Sequence, residues 1–111
     1  MEGRLPAHLE VSGLIRIVES QGGFASVLNK GERDAGTILI LTMYRGDPLT
    51  LYERMPQLDG SRKFIAAKRQ NPENPQELAG YVTRRASQDP DIWVIEADVA
   101  DEERFIASIA R

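Results

Sequence analysis

The sequence predicts an α+β fold in which helices pack against a mainly antiparallel five-stranded sheet. Three features indicate this class. Apolar residues recur at helical spacing from about Ala7 to Gln21, and four strand-like segments then follow with short turns between them. Further on, Pro90 ends a second helical segment, and a β-branched and aromatic run from Ile92 to Ile95 begins. The predicted element order is α-β-β-β-β-α-β-α.

The first helix is predicted to span about Ala7 to Gln21. Its apolar stripe follows the i, i+3, i+4, i+7 spacing of one buried helix face and consists of Val11, Leu14, Ile15 and Val18. The pair Gly22-Gly23 ends the helix, because glycine enters the left-handed cap conformation without steric cost.

Four strands follow, and turn residues bound each of them. They are predicted at Phe24 to Asn29, Thr37 to Tyr44, Leu49 to Met55 and Arg62 to Lys68. The segment from Lys30 to Gly36 is interpreted as a hairpin loop with glycine at positive φ. A parallel return needs a crossover of about a dozen residues or more, so the short connections predict antiparallel neighbours. The four strands are therefore expected to form a meander.

The strand from Thr37 to Tyr44 is apolar on both faces in its middle, which is typical of a central strand covered on both sides. Three predicted helices are available to cover it. If two of them pack on one face, the other face is left partly open to a partner. If the helices divide between the faces and cover both, a monomer is favoured. The sequence leaves both arrangements open.

The second helix is predicted to begin with Asn74 as its N-cap, Pro75 in the first helical position and Glu77 three residues after the cap. It extends to about Gln88. This helix forms a crossover that can set the last strand, Asp91 to Val99, parallel to a neighbouring strand.

Two residues near the end of the chain are expected to have structural roles. Trp93 is a predicted core anchor whose indole N–H either bonds a backbone carbonyl or lies at the surface. Asp101 is the predicted cap of a last short helix, and the acidic residues of its first turn, Glu102 and Glu103, suit the helix dipole.

Composition and charge limit the class of protein. With 111 residues, of which 41% are apolar and 28% charged, the chain is expected to form one folded domain over residues 1–111. A net charge of −3 argues against general nucleic-acid binding, and the lack of cysteine excludes disulfides and thiolate sites. The sequence shows neither a signal-peptide core nor an apolar run of roughly 20 residues, so a cytoplasmic location is expected.

Three segments carry a resemblance to a known family. They are Phe24–Val27 leading into the loop Gly31–Gly36, the pair Leu51-Tyr52, and Asp89–Glu96 with a further acidic residue at Asp98. Together they cover most of the chain from its first helix to its last strand. On these residues the chain resembles the domain of unknown function number 1491, a family of short bacterial proteins found mainly in alphaproteobacteria.

The resemblance implies a cytoplasmic α+β domain and supplies no activity. The chain departs from the family pattern after the last strand. There the family has an acidic-basic pair and a Gly-Arg turn, whereas this chain has the segment from Val99 to Glu103. If that turn carries function, this chain has an altered form of it.

A set of carboxylates around the last strand is the first candidate binding site. It comprises Asp34, Asp89, Asp91, Glu96 and Asp98. Glu96 and Asp98 are two residues apart on one face of a strand, so both carboxylates can reach one hard cation. The competing interpretation is a solvated strand face, with Asp89 and Asp91 as ordinary turn formers. No histidine or calcium-loop glycine accompanies these acids in sequence, and no metal ligand set is assigned.

Basic residues on the fourth strand and the second helix form the other candidate. They are Arg62, Lys63, Lys68, Arg84 and Arg85. If the strand and the helix adjoin, these side chains give one face that can bind phosphate. The competing interpretation is that an edge strand carries lysine and arginine as protection against aggregation.

Residue types for catalysis are scarce, and no cofactor is predicted. His8 is the only histidine and has no sequence neighbour with which to form a dyad, and no nucleophile or phosphate-loop motif occurs. The leading hypothesis is a non-enzymatic cytoplasmic domain that binds a protein partner or a second copy of itself. The alternatives are a carboxylate-based, divalent-metal-dependent hydrolase or ligand-binding protein, and weak nucleic-acid binding through the basic face. No membrane partner is expected.

Overall fold

The structure is a computed structural model that describes residues 5–109. Within that range the elements are α1 (Ala7–Ser20), β1 (Phe24–Asn29), β2 (Ile38–Tyr44), β3 (Asp47–Pro56), β4 (Arg62–Arg69), α2 (Glu77–Gln88), β5 (Trp93–Asp98) and α3 (Glu102–Ile109). The predicted order and the α+β class are confirmed. None of the helices in these residues is long and apolar enough to span a membrane.

The strands form one mixed sheet with the order β1-β5-β2-β3-β4. β5 runs parallel to β2, and the other three neighbouring pairs are antiparallel. The mainly antiparallel character is therefore as the sequence predicts, and the parallel placement of the last strand is the one that the crossover helix allows.

The predicted meander is wrong at its first step, because β1 does not pair with β2. β5 lies between them and is antiparallel to β1 and parallel to β2. The segment after β1 crosses the end of β5, where the Glu32 N–H donates to the Asp91 carbonyl at 3.0 Å. The first half of β5 is buried on both faces, with Val94 0% and Ile95 1% exposed, whereas Glu96 and Asp98 farther along are half-buried. A segment that is apolar on both faces buries more surface inside a sheet than at its edge, which favours this insertion.

The glycines in that crossing segment serve close packing, so their predicted positive φ is also wrong. Positive-φ glycines of the described chain lie elsewhere, and neither Gly31 nor Gly36 is among them. A Cβ atom on either glycine would collide with the Asp91 carbonyl oxygen. On Gly36 it would also lie 2.9 Å from the Trp93 ring. The segment can pass close to the start of β5 because these two positions have no side chain.

Two apolar cores lie on opposite faces of the sheet. On one face, named the α1 face, α1 and α3 pack over the sheet. Its buried residues include Val18, Ile40, Tyr52, Trp93, Ile95 and Phe105. On the other, named the α2 face, only α2 packs over the sheet within the described residues. Its buried residues include Leu39, Leu41, Leu51, Leu78, Val82 and Val94.

The start of α2 differs from the prediction. The helix begins at Glu77 after Gln76 as its N-cap, and the cap makes no side-chain hydrogen bond. Asn74 belongs to a preceding turn, where its N–H donates to the Asn71 carbonyl at 3.0 Å. The Glu77 carboxylate pairs with Lys68 of β4 at 2.8 Å and does not act with Asn74 at the start of the helix.

Two other local predictions are confirmed. The Trp93 indole N–H donates to the Glu32 backbone carbonyl at 2.7 Å, and the side chain is buried. The Asp101 carboxylate accepts the Arg104 N–H at 3.0 Å and caps α3.

Candidate functional site

The candidate acidic residues divide between the two ends of the sheet. Asp34 and Asp91 lie in segments just before β2 and β5, which are parallel, so both are at the end where those strands begin. Asp98 lies at the other end and accepts the N–H groups of Arg45 and Gly46 at 3.0 and 2.9 Å. The length of β2 separates the two groups by roughly 20 Å. One cation cannot bind Asp34 and Asp98 together.

The remaining two acids lie apart from each other as well. Asp89 accepts the Asp91 N–H at 3.0 Å and forms the turn between α2 and β5. Glu96 lies in the middle of β5, opposite Ser26 of β1 and Leu41 of β2. Within residues 5–109, no group of three or more histidine, aspartate or glutamate side chains is arranged to hold a metal ion.

The candidate basic residues divide between the two faces of the sheet. Arg62 lines a cleft on the α1 face, whereas Lys63 and Lys68 point to the α2 face by their register with β3. Lys68 is paired with Glu77 at 2.8 Å, and Arg84 is exposed on α2. A continuous phosphate-binding face would need all of these side chains on one side.

Arg85, the fifth candidate cation, has an acidic partner of its own. Its guanidinium makes a two-pronged contact with the Glu53 carboxylate, at 3.0 and 3.1 Å. These bonds raise the pKa of Arg85 above its ordinary value. The Tyr81 hydroxyl lies 3.3 Å from the same guanidinium. Arg85 therefore fastens α2 to β3, and its charge is offset by Glu53.

A cleft of about 420 Å³ lies on the α1 face between the start of α1, the segment before β2, and β3 and β4. Asp34, Glu10 and Arg54 contribute to its lining. Glu10 and Arg54 form a 2.6 Å ion pair, and the Arg54 guanidinium also lies 4.8 Å from the centre of the Phe64 ring. The sequence gives no signal for this pair, because α1 and β3 meet only in the folded chain. Both of its charges are already partnered, which favours a structural role.

An apolar groove of about 440 Å³ continues along the same face. Its lining residues include Leu9, Gly13, Ile17, Phe64 and Ile109. The groove lies on a sheet face between helices, so it offers side-chain contacts but not the free backbone groups of a strand edge.

A polar group beneath α3 is another feature that the sequence does not predict. The Glu102 carboxylate lies 2.6 Å from the Thr42 hydroxyl and accepts the Tyr52 hydroxyl at 3.2 Å. Burial raises the pKa of Tyr52, and the charge and hydrogen bond of Glu102 raise it further. Each member has a partner, so the group anchors the first turn of α3 to the sheet.

The edge strand β1 is an open part of the described structure. Within residues 5–109 its only strand neighbour is β5, so its outer row of backbone groups has no strand partner. Phe24 is 79% exposed, Leu28 50% and Val27 41%. The strand contains no charged residue and no proline, whereas the other edge strand, β4, carries Arg62, Lys63, Lys68 and Arg69.

The α2 face is only partly covered near both edges. Phe24 lies on this face because it pairs with Asp98, which shares a face with Val94. Met55 and Ile65 lie on the same face near β4 and are 37% and 38% exposed. Among residues 5–109, two helices pack on one face and one on the other, so the face with a single helix keeps exposed apolar residues.

These features define a small α+β domain with one neutral, open strand edge. The chain belongs to the family described as Protein of unknown function (DUF1491), whose model matches residues 5–107. The resemblance seen in the sequence is therefore confirmed.

Solved structures of similar proteins share this fold. A DUF1491 family protein from Caulobacter crescentus CB15, solved by crystallography, is 34% identical, with a TM-score of 0.79 over 92% of this chain and 94% of that chain. An NMR structure of a DUF1491 family protein from Caulobacter crescentus CB15 is 33% identical, with a TM-score of 0.76 over 95% and 94%. The solution structure of protein Atu0922 from A. tumefaciens is 29% identical, with a TM-score of 0.74 over 98% of each chain. Among curated proteins, none matches this chain.

Proposed function

We propose that this chain is a cytoplasmic, non-enzymatic interaction domain that binds an extended protein segment along the outer edge of β1. The observation that supports the proposal is the exposure of this edge, where unpaired backbone groups lie beside Phe24, Val27 and Leu28. An added strand would satisfy those backbone groups and cover the apolar side chains. Main-chain hydrogen bonds would supply affinity, and the side chains of β1 would supply specificity.

The contrast between the two edges also supports the proposal. Soluble proteins commonly protect edge strands with lysine, arginine or proline, because an unprotected edge pairs with other strands. β4 has four basic residues, two near each end, and β1 has no charged residue at all. A bulge follows Val27 in β1 and limits its regular section to Phe24–Val27. Strand addition is therefore favoured at β1 and disfavoured at β4.

A pull-down with three tagged forms of the chain tests the proposal. The forms are the wild type, Ser26→Lys on β1 and Ala67→Lys on β4; Ser26 and Ala67 are both exposed. An untagged copy of the wild type is included among the proteins offered to each form. Lysine at position 26 faces Glu96 across the strand pair, so the variant is expected to fold, which thermal melting checks.

The wild type is expected to retain one or more bound proteins, of which the untagged copy can be one. The Ser26→Lys form should no longer bind these proteins, and the Ala67→Lys form should still bind them. A charge on the edge opposes a new strand, whereas β4 is already charged. Equal binding by all three forms, or no binding by the wild type, contradicts the proposal.

A further inference from the structure

We infer that the segment bound at β1 is the β1 strand of a second copy, paired antiparallel about a two-fold axis that passes beside Ser26. This inference rests on the proposed function and specifies its partner. The result is a continuous ten-stranded sheet, because each copy contributes the five strands of its own sheet. The observations that lead to it are the register of β1, its neutrality and the charge of the opposite edge.

The register follows from the faces of the sheet. Directly opposed residues of an antiparallel pair point to the same side, so a two-fold axis normal to the sheet pairs only positions that share a face. Ser26 lies on the α2 face because it is opposite Glu96. When Ser26 faces Ser26 of the second copy, Ala25 lies opposite Val27 of that copy, and Phe24 lies beside Leu28, the bulged residue that follows Val27.

That register covers the exposed apolar residues of the edge. Phe24 and Leu28 are 79% and 50% exposed in the single chain. The pairing brings Phe24 of each copy beside Leu28 of the other copy. Aromatic–aliphatic cross-strand pairs stabilise sheets, and the small Ser26 leaves room at the axis. A register centred on Ala25 instead sets Phe24 against Ser26 and leaves Leu28 unpaired.

Charge and closure favour a second copy over an unrelated segment. Neither β1 strand carries a charge, so two copies bring no like charges together along the new edge. A two-fold contact uses the same patch on both subunits and consumes both open edges. The dimer then ends in two β4 edges, each with its basic residues, and does not continue to grow.

The size of the contact indicates a reversible dimer. Three directly opposed positions in each strand, Ala25 to Val27, together with the flanking Phe24 and Leu28 extend over roughly 17 Å. An interface of that length is at the low end of the range for specific protein contacts. Dimerisation is therefore expected to depend on protein concentration in light scattering.

Because the chain contains no cysteine, one introduced cysteine reports on a single position. Ser26→Cys places two thiols directly opposite each other at the axis, with their Cβ atoms about 4.5–5.5 Å apart, close to what a disulfide needs. Ala67→Cys on β4 is the matched control. Under a glutathione redox buffer, Ser26→Cys is expected to form the covalent dimer at least about tenfold faster than Ala67→Cys.

A charge-swap experiment tests the same register without a covalent bond. Ser26→Lys is expected to be monomeric, because two lysines meet at the axis, and an equimolar mixture with Ser26→Glu is expected to dimerise. Ser26→Glu also faces Glu96 of its own chain, so its fold is checked before the mixture is compared. Ala67→Lys is expected to dimerise like the wild type. Thermal melts of all the variants separate a lost contact from a lost fold.

A wild type that stays monomeric at its highest soluble concentration, with equal crosslinking of Ser26→Cys and Ala67→Cys, overturns the inference. In that case the pull-down still decides the proposed function separately. If the pull-down recovers a different protein with the wild type and loses it with Ser26→Lys, the β1 edge remains the binding surface. Only the identity of its partner then changes. If no protein depends on the β1 edge, both fail.

Discussion

Tyr52 shows how single residues of this fold are coupled through space. It is buried in the sheet beneath α3, and its hydroxyl donates to Glu102 at 3.2 Å. An ionised Tyr52 would lie next to that carboxylate in a site of limited solvent access. Burial first, and then Glu102, therefore raise the pKa of Tyr52 above 10.0.

The raised pKa of Tyr52 predicts how stability depends on alkaline pH. The unfolded chain loses the tyrosine proton near pH 10, whereas the folded chain keeps it to higher pH, so the stabilisation is complete below pH 10. It is lost as pH rises through the folded pKa. Tyr52→Phe should show a shallower fall of the free energy of unfolding above pH 10, measured by urea denaturation, with exposed Tyr44→Phe as the control. Identical pH slopes in wild type and Tyr52→Phe would rule this coupling out.

Residue-scale prediction from sequence succeeded where the cause is local. The cap at Asp101 acts three residues along the chain on Arg104, and both residues are visible in the sequence. The Glu102 contacts with Thr42 and Tyr52 span 60 and 50 residues, and no local pattern marks them. Placement of the candidate acids and bases depended on the fold in the same way, since strand order decides which of them are neighbours.

At the scale of elements, the β2–β3 hairpin depends on a neighbouring strand. Its two-residue turn has positive φ at Arg45 and Gly46, 51° and 87°, a geometry that matches the twist of the flanking strands. Both turn N–H groups donate to the Asp98 carboxylate of β5. Asp98 therefore stabilises a turn from outside the hairpin.

Removal of that carboxylate should weaken the hairpin. Asp98→Ala is expected to lower the free energy of unfolding by about 1–3 kcal/mol, because two N–H groups lose a charged acceptor. Glu96→Ala on the same face of β5 is the matched control, and a change within about 0.5 kcal/mol is expected there. Chemical denaturation measures both. Equal losses in the two variants would contradict the structural role of Asp98.

Two glycines in different elements should respond to alanine in opposite directions. A Cβ on Gly13 in α1 meets no atom within 4 Å, so Gly13→Ala should stabilise the protein by about 0.5–1 kcal/mol through helix propensity. A Cβ on Gly36 would collide with the Asp91 carbonyl, so Gly36→Ala should destabilise it by about 1–3 kcal/mol. Thermal melting reports both signs. Tolerance at Gly36 would show that the segment before β2 packs differently, and destabilisation by Gly13→Ala would show that α1 is more closely packed at that position.

Element boundaries were largely predictable from sequence, but the path between elements was not. Turn residues and alternation located β1 at Phe24–Asn29, and glycine ended α1. The segment from Lys30 to Gly36 looked like a hairpin loop because its length allows one. Insertion of β5 between β1 and β2 is decided by long-range burial, for which the continuous apolar run from Ile92 to Ile95 was the available signal.

At the scale of the whole molecule, the sheet has one protected edge and one open edge. The three helices of the described part of the chain divide two to one between its faces, which explains why Phe24, Met55 and Ile65 stay exposed on the α2 face. The sequence predicted that a partly open sheet would favour a partner. It could not assign the open edge, because edge and centre are properties of strand order, and that order depends on pairing across the whole chain.

Hydrogen exchange of the β1 backbone at two protein concentrations tests the open edge most directly. If β1 pairs with a second copy, amide exchange in residues 24–28 should slow as the concentration rises, while residues 62–69 of β4 should keep the same rates. Free N–H groups on an edge exchange readily, and groups bonded to a new strand do not. Exchange in β1 that is independent of concentration, or slowing confined to β4, would contradict the assignment of β1 as the self-pairing surface.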